Sequence, residues 1–138
     1  MALPRLLDDQ PALYLRAYPR ETVVAEKLEA IVKLGMVNSR MKDYFDLLAL
    51  LKEQRTDEGD LVNAIAATFA RRGTPIPDVV PLGLTPEFAD DGQKQTQWAA
   101  FVGKNRLEAP ALAVVVEQLA SWLQPAMQRA GGRAQGGH

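Results

Sequence analysis

The sequence contains no cysteine and only one histidine, which restricts the kinds of site that the chain can form. Without cysteine there can be no disulfide, iron–sulfur cluster or thiolate zinc site. The single histidine, His138, lies in a glycine-rich stretch at the end of the sequence, where a solvated tail residue is more common than a metal ligand. The residue types present therefore argue against a transition-metal centre.

The chain also lacks a long apolar run and an excess of charge of one sign. No stretch approaches the roughly 18 consecutive apolar residues of a membrane span, and residues 1–5 have no signal-peptide core. Sixteen lysines and arginines against seventeen acids give a formal net charge of -1. No overall field then attracts nucleic acid or an anionic membrane. We expect a soluble, cytoplasmic protein in which any nucleotide binding is local.

The length and apolar content of the chain are sufficient for one hydrophobic core. With 138 residues, 47% of them hydrophobic, we predict a single, mostly helical domain over residues 1–127. Residues 128–138 are polar and rich in glycine, so we predict a disordered tail there. Four prolines within residues 74–86 prevent regular structure and indicate an extended crossing segment.

Residues 12–18 carry the only clear strand pattern in the sequence. Leu13 and Leu15 alternate with Tyr14 and Arg16, which is the period of a strand with two different faces. A single strand cannot satisfy its own backbone hydrogen bonds. We therefore predict pairing through strand 12–18, in a homodimer or with a partner. The alternative is that the N-terminal residues fold back on the helices or stay disordered.

The rest of the chain has the three- and four-residue spacing of apolar residues that is typical of amphipathic helices. The first two helices form a hairpin over residues 20–52, with Pro19 before its start. Later helices are predicted over residues 60–72, 91–104 and 110–124. The predicted fold class is therefore mainly α, with about five helices and one N-terminal strand.

Two short motifs on the predicted hairpin carry most of the functional information. Ala-Glu-Lys-Leu occupies residues 25–28, and Arg-Met-Lys-Asp-Tyr-Phe-Asp-Leu occupies residues 40–47. These motifs resemble the paired C-terminal motifs of the AbiEii/AbiGii family of nucleotidyltransferase toxins, and the resemblance extends over residues 12–52. It implies the C-terminal helical portion of such an enzyme, from a toxin–antitoxin or abortive-infection system.

The same resemblance implies roles for five residues of the two motifs. Lys27 is expected to contact the nucleotide phosphate and Asp43 to complete the active site, and Asp46 is either a second catalytic acid or a structural residue. Arg40 and Lys42 are also expected to bind the nucleotide. Lysine and arginine can neutralise a triphosphate, and a carboxylate can orient or deprotonate an attacking hydroxyl. If the motifs form one site, Lys27 and Asp43 must face each other across the hairpin.

The resemblance further implies Mg²⁺ and an NTP, an RNA acceptor and a cognate antitoxin. Family members carry a Gly-Ser or Gly-Gly turn and an Asp-x-Asp pair upstream of these motifs, and two carboxylates at that spacing can share Mg²⁺. This sequence contains no Asp-x-Asp. We therefore expect it to be incomplete as an enzyme by itself, either truncated or one half of a split protein whose partner is the N-terminal catalytic half.

The sequence leaves two other interpretations open. Glu26, Lys27, Lys42 and Asp43 can form a salt-bridged face that joins two helices and has no catalytic role. Arg40 can bind phosphate, or it can pair with Glu26 or Asp43. For the whole chain, the alternative to a nucleotidyltransferase is a stand-alone helical protein-interaction module without catalytic activity.

Overall fold

The structure is a computed structural model that describes residues 19–53 and 56–136. Within these ranges the chain forms six α-helices: α1 Arg20–Leu34, α2 Met41–Glu53, α3 Glu58–Arg72, α4 Pro86–Asp90, α5 Gly92–Lys104 and α6 Leu112–Gly136. The prediction of a mainly α fold is confirmed. The predicted strand at 12–18, with the pairing proposed for it, lies outside the described residues.

The first two helices form the predicted hairpin. α1 starts after Pro19, whose fixed φ suits a helix start. It stops at Gly35, which has a φ of 53° that a side chain would disfavour, and the Gly35 amide donates to the Ile31 carbonyl. Because α1 ends so sharply, the chain reverses within six residues and α2 begins at Met41. The two motifs are thus brought to neighbouring helices.

The remaining long helices pack around this hairpin. α3 contacts α1, and α6 contacts both α2 and α3. Asp57 caps α3 by accepting a hydrogen bond from the Asp60 amide at 2.9 Å, and Gly73, with a φ of 67°, ends it. One continuous group of buried apolar side chains joins these helices, including Leu28, Ile65 and Leu119.

The segment between α3 and α5 is more regular than predicted. We expected an extended segment without regular structure up to residue 86, but Pro86–Asp90 forms the short helix α4, capped by the Thr85 hydroxyl. Phe88 is buried and stacks on Tyr44 of α2, with ring centroids 5.3 Å apart. A side chain at Gly83 would meet Ile31 at 2.7 Å, so a glycine is needed where this segment crosses the hairpin.

The last helix is longer than predicted. We expected a helix over 110–124 and a disordered tail over 128–138, whereas α6 runs from Leu112 through Pro125 to Gly136. Ala126, Met127 and Ala130 are buried on one face of this added part, so packing stabilises it. Pro125 is on the exposed side. Among the described residues, no helix is long and apolar enough to cross a membrane.

Candidate functional site

The helical hairpin brings the predicted site residues together around Lys27. The Lys27 Nζ atom of α1 lies 3.3 Å from Asp43 Oδ1 and 3.0 Å from Asp46 Oδ2, both on α2. The prediction that Lys27 and Asp43 face each other is therefore confirmed. The lysine side chain is 16% exposed and the Asp43 side chain is 5% exposed. These ion pairs are thus largely removed from water.

Two further cations pair with the same acids from the surface. Arg40 Nε lies 3.1 Å from Asp43 Oδ2, and Lys42 Nζ lies 2.7 Å from Asp46 Oδ2. The arginine and lysine side chains are 60% and 49% exposed. The acids therefore lie beneath a surface that carries positive charge.

We name these five residues the cationic cluster: Lys27, Arg40, Lys42, Asp43 and Asp46. Three formal positive charges and two negative charges leave a net charge of +1. Since the acids are buried and two of the cations are exposed, the surplus charge faces the solvent. Such an arrangement suits an anion that accepts hydrogen bonds from guanidinium and ammonium groups.

The loop that leads into α2 is fixed by Asn38 and by a lysine of α5 that sequence reasoning missed. Asn38 is fully buried, and its Oδ1 accepts a hydrogen bond from the Arg40 amide at 2.8 Å. Lys94 of α5 is also buried, and its Nζ donates to the Asn38 carbonyl at 2.8 Å. The backbone at Arg40 is thereby held while its side chain stays exposed. The burial of Lys94 could have been inferred from its position four residues before Trp98, which places both residues on the apolar face of α5.

Tyr44 connects the cluster to the crossing segment. Its buried hydroxyl donates to the Gly83 carbonyl at 2.8 Å. Burial raises the pKa of the Tyr44 hydroxyl well above its usual range, the polar side chain of Asn38 lowers it, and the charge of Asp43 raises it. Tyr44 therefore stays protonated and acts as a structural hydrogen-bond donor.

A surface depression of about 500 Å³ adjoins the cluster. Its lining includes Arg40, Lys42 and Asp43 of the cluster together with Gln97, Ala100 and Phe101 of α5. Because the same arginine and lysine line the depression and pair with the buried acids, an anion held by the cluster would lie at its edge. The depression is therefore part of the candidate site.

The cluster does not fit a divalent metal ion. Among the described residues, no group of three or more acidic or histidine side chains is placed to hold one. Both carboxylate oxygens of Asp43 and the Oδ2 atom of Asp46 already lie within 3.3 Å of cationic side chains. A metal at these oxygens would have to displace those cations, whereas Mg²⁺ requires a shell of oxygen ligands.

Glu26 belongs to the first motif but not to the cationic cluster. It lies 3.5 Å from Arg71 Nη2 of α3, whereas Arg40 pairs with Asp43, one of the two partners considered for it. Next to it, the buried Glu29 pairs with Arg72 at 3.1 Å and accepts a hydrogen bond from Thr74 at 2.6 Å. We name the following five residues the α1–α3 cluster: Glu26, Glu29, Arg71, Arg72 and Thr74.

The fold and the site together define a mainly helical protein whose first hairpin carries an ion-paired, net cationic cluster. A family model described as the nucleotidyl transferase AbiEii toxin of a type IV toxin–antitoxin system matches residues 1–128. The chain therefore belongs to the AbiEii family, and the resemblance inferred from the two motifs is confirmed. Searches of curated proteins and of solved structures found no significant match.

Proposed function

We propose that this chain is the C-terminal portion of an AbiEii-type nucleotidyltransferase toxin and contributes the surface that binds the nucleotide phosphates. Membership of the family supports a nucleotidyltransferase-like function in a toxin–antitoxin system. The observation that carries the finer assignment is the cationic cluster, in which Lys27 contacts two buried acids while Arg40 and Lys42 stay exposed.

In this proposal the cations hold and neutralise the triphosphate. Arg40 presents a planar group of donors that suits phosphate oxygens, and Lys42 supplies a mobile point charge beside it. Lys27 lies deeper and keeps the two acids in place. Positioning and neutralisation of charge supply most of the catalysis of phosphoryl transfer, so these contacts are a direct contribution to the reaction.

Asp43 and Asp46 act here as positioning residues for the cations. A direct role as catalytic acids stays a prediction, because both carboxylates are buried and paired. Asp43 is the better candidate of the two. Its Oδ2 accepts no hydrogen bond within the described part of the chain, and the exposed Arg40 is the ion-pair partner seen at that atom. If Arg40 turned toward a phosphate, this oxygen would be free to accept the proton of an attacking hydroxyl.

The Mg²⁺ implied by the family would be held elsewhere in the complete enzyme. We propose that its carboxylate ligands come from an N-terminal catalytic half outside this sequence. A chain without that half is expected to incorporate no labelled nucleotide into itself or into RNA. Robust incorporation that is lost on Asp43→Ala would contradict this expectation. A cognate antitoxin, an RNA acceptor and a cytoplasmic location stay predictions for the complete system.

The phosphate role is tested by calorimetric titration of the full chain with ATP and with inorganic tripolyphosphate. Replacing both Arg40 and Lys42 by alanine changes the net charge of the cluster from +1 to -1. We expect a loss of about tenfold or more in affinity for both probes, with a weaker dependence on salt.

The control variant is Arg129→Ala. Arg129 is an exposed arginine that is paired with an exposed acid, Glu58, at 2.9 Å, and it lies outside the cluster. We expect it to bind both probes like the wild type. Equal affinity in the double variant, or no binding by the wild type, would show that the cluster is not a phosphate site.

A helical interaction module is the second candidate function, and an exposed apolar surface favours it. Val79 is 70% exposed, and Val80, Leu82 and Val114 are partly exposed. A depression of about 430 Å³ with a mainly apolar lining, including Val80 and Val116, lies in this region. If the wild type fails to bind tripolyphosphate, this second function is the better one.

A further inference from the structure

We propose that the depression beside the cationic cluster is a nucleobase subsite in which a base stacks on Phe101. This inference rests on the proposed phosphate role of the cluster, and it adds the part of the ligand that the cluster does not contact. The ligand is a nucleotide whose phosphates lie on Arg40 and Lys42 and whose base enters the depression.

An aromatic ring lies next to the exposed cations at this depression. Phe101 is partly buried and lines the depression together with Arg40 and Lys42. Its ring contacts those of Phe45 and Trp98, with centroids 6.1 Å and 6.0 Å away, so neighbouring aromatic side chains support it. An aromatic ring flanked by basic residues is the usual arrangement for binding an unpaired nucleotide.

The depression also contains an unused hydrogen-bond acceptor. The side-chain oxygen of Gln97 is buried and has no hydrogen-bond partner among the described residues, and Gln97 lines the depression. A buried acceptor without a partner is costly. The exocyclic amino group of a nucleobase is a donor that can satisfy it. The depression, at about 500 Å³, has the size of a small-molecule site.

A second depression with an aromatic lining differs from this one in its charge. Trp122 lines a depression of about 630 Å³ together with Lys52 and Glu117, so that lining also has an aromatic ring. There the one cation is matched by one acid. Of these two depressions, the one at Phe101 has a surplus of positive charge in its lining, because Arg40 and Lys42 outnumber Asp43 there. Charge therefore distinguishes the two.

Two ligands could supply the base, namely the donor NTP and the end of an RNA acceptor. Both contain a nucleobase linked to phosphate. The test titrates the full chain with ATP, with inorganic tripolyphosphate and with an RNA of five adenosines. The variants are Phe101→Leu, which keeps an apolar side chain, and Ala100→Leu, which fills the depression from an exposed position. The matched control is Trp122→Leu, and far-UV circular dichroism checks folding.

We expect Phe101→Leu and Ala100→Leu to lower the affinity for ATP or for RNA about tenfold and to change the affinity for tripolyphosphate less than about twofold. A loss for ATP identifies the donor nucleotide, and a loss for RNA identifies the acceptor. Trp122→Leu should leave all three affinities unchanged.

Three outcomes overturn the inference. If tripolyphosphate binds but both depression variants keep wild-type affinity for ATP and RNA, the cluster binds phosphate and the depression binds no base. An equal loss for ATP in Trp122→Leu would show that the effect is not local. A wild-type chain that binds none of the three probes removes the phosphate role, and the subsite with it.

Discussion

The cationic cluster and the α1–α3 cluster use similar residues on the same helix and differ in their balance of charge. In the α1–α3 cluster, two acids of α1 meet two arginines of α3, so the formal charges cancel. In the cationic cluster, two acids of α2 meet three cations. Ion pairing alone therefore does not distinguish a structural contact between two helices from a binding site. The surplus of cations and their exposure do.

The first way to test this comparison is to remove the central lysine. Lys27→Ala leaves the buried Asp43 and Asp46 with only exposed partners, so we expect a loss of about 3 kcal/mol in the free energy of unfolding. Urea denaturation monitored by circular dichroism measures it. Lys33→Ala, an exposed lysine on the same helix, is the control and should change stability by less than about 0.5 kcal/mol. Similar stability of the two variants would show that the buried pairs contribute little.

The matching change in the α1–α3 cluster is Glu29→Gln. Glu29 is 2% exposed, and its two oxygens bind Arg72 and Thr74. We expect a loss of about 2 kcal/mol, since one charge-assisted hydrogen bond is weakened in a buried place. Binding of tripolyphosphate should be unchanged, because this cluster has no surplus charge. A variant that folds normally but no longer binds the probe would remove the distinction between the two clusters.

Tyr44 offers a smaller test, next to the cationic cluster. Tyr44→Phe removes the hydrogen bond to the Gly83 carbonyl, and we expect a loss of about 1 kcal/mol at neutral pH. The raised pKa of Tyr44 means that the folded chain keeps this proton when the unfolded chain has lost it. Its stabilising effect is therefore complete below about pH 10 and declines as the pH rises further.

The measurement is urea denaturation of the wild type and of Tyr44→Phe between pH 8 and about pH 11. The wild type should lose more stability than the variant above about pH 10. Parallel curves for the two proteins would contradict the raised pKa.

The smallest effect on stability is expected from replacing one exposed arginine in each cluster. These two variants compare phosphate binding by the two clusters directly. Arg40→Ala and Arg71→Ala each remove an exposed arginine whose acid keeps a second cationic partner, so both should change stability by less than about 1 kcal/mol. Only Arg40→Ala should weaken the binding of tripolyphosphate. If both variants bind tripolyphosphate more weakly, or if neither does, binding does not depend on which cluster the arginine belongs to. The assignment of the phosphate site to the cationic cluster would then be wrong.

The helices that the sequence predicts well are those with strong local signals. Pro19, Gly35 and the apolar spacing indicate the hairpin, and its observed bounds differ from the prediction by few residues. The helix α4 was missed because it spans only five residues and is stabilised by the packing of Phe88 on Tyr44. The continuation of α6 was missed because the burial of Ala130 depends on residues distant in the chain.

Periodicity and a short loop in the sequence indicated the helical class and the hairpin, because they set which faces of two consecutive helices come together. The five residues of the cationic cluster were indicated by the resemblance of their motifs to the AbiEii family. Three contacts could be seen only in the tertiary structure. Glu26 pairs with an arginine of α3, Lys94 holds the loop before Arg40, and Phe101 lies beside the exposed cations. These contacts join residues far apart in sequence, and their geometry depends on how whole helices pack.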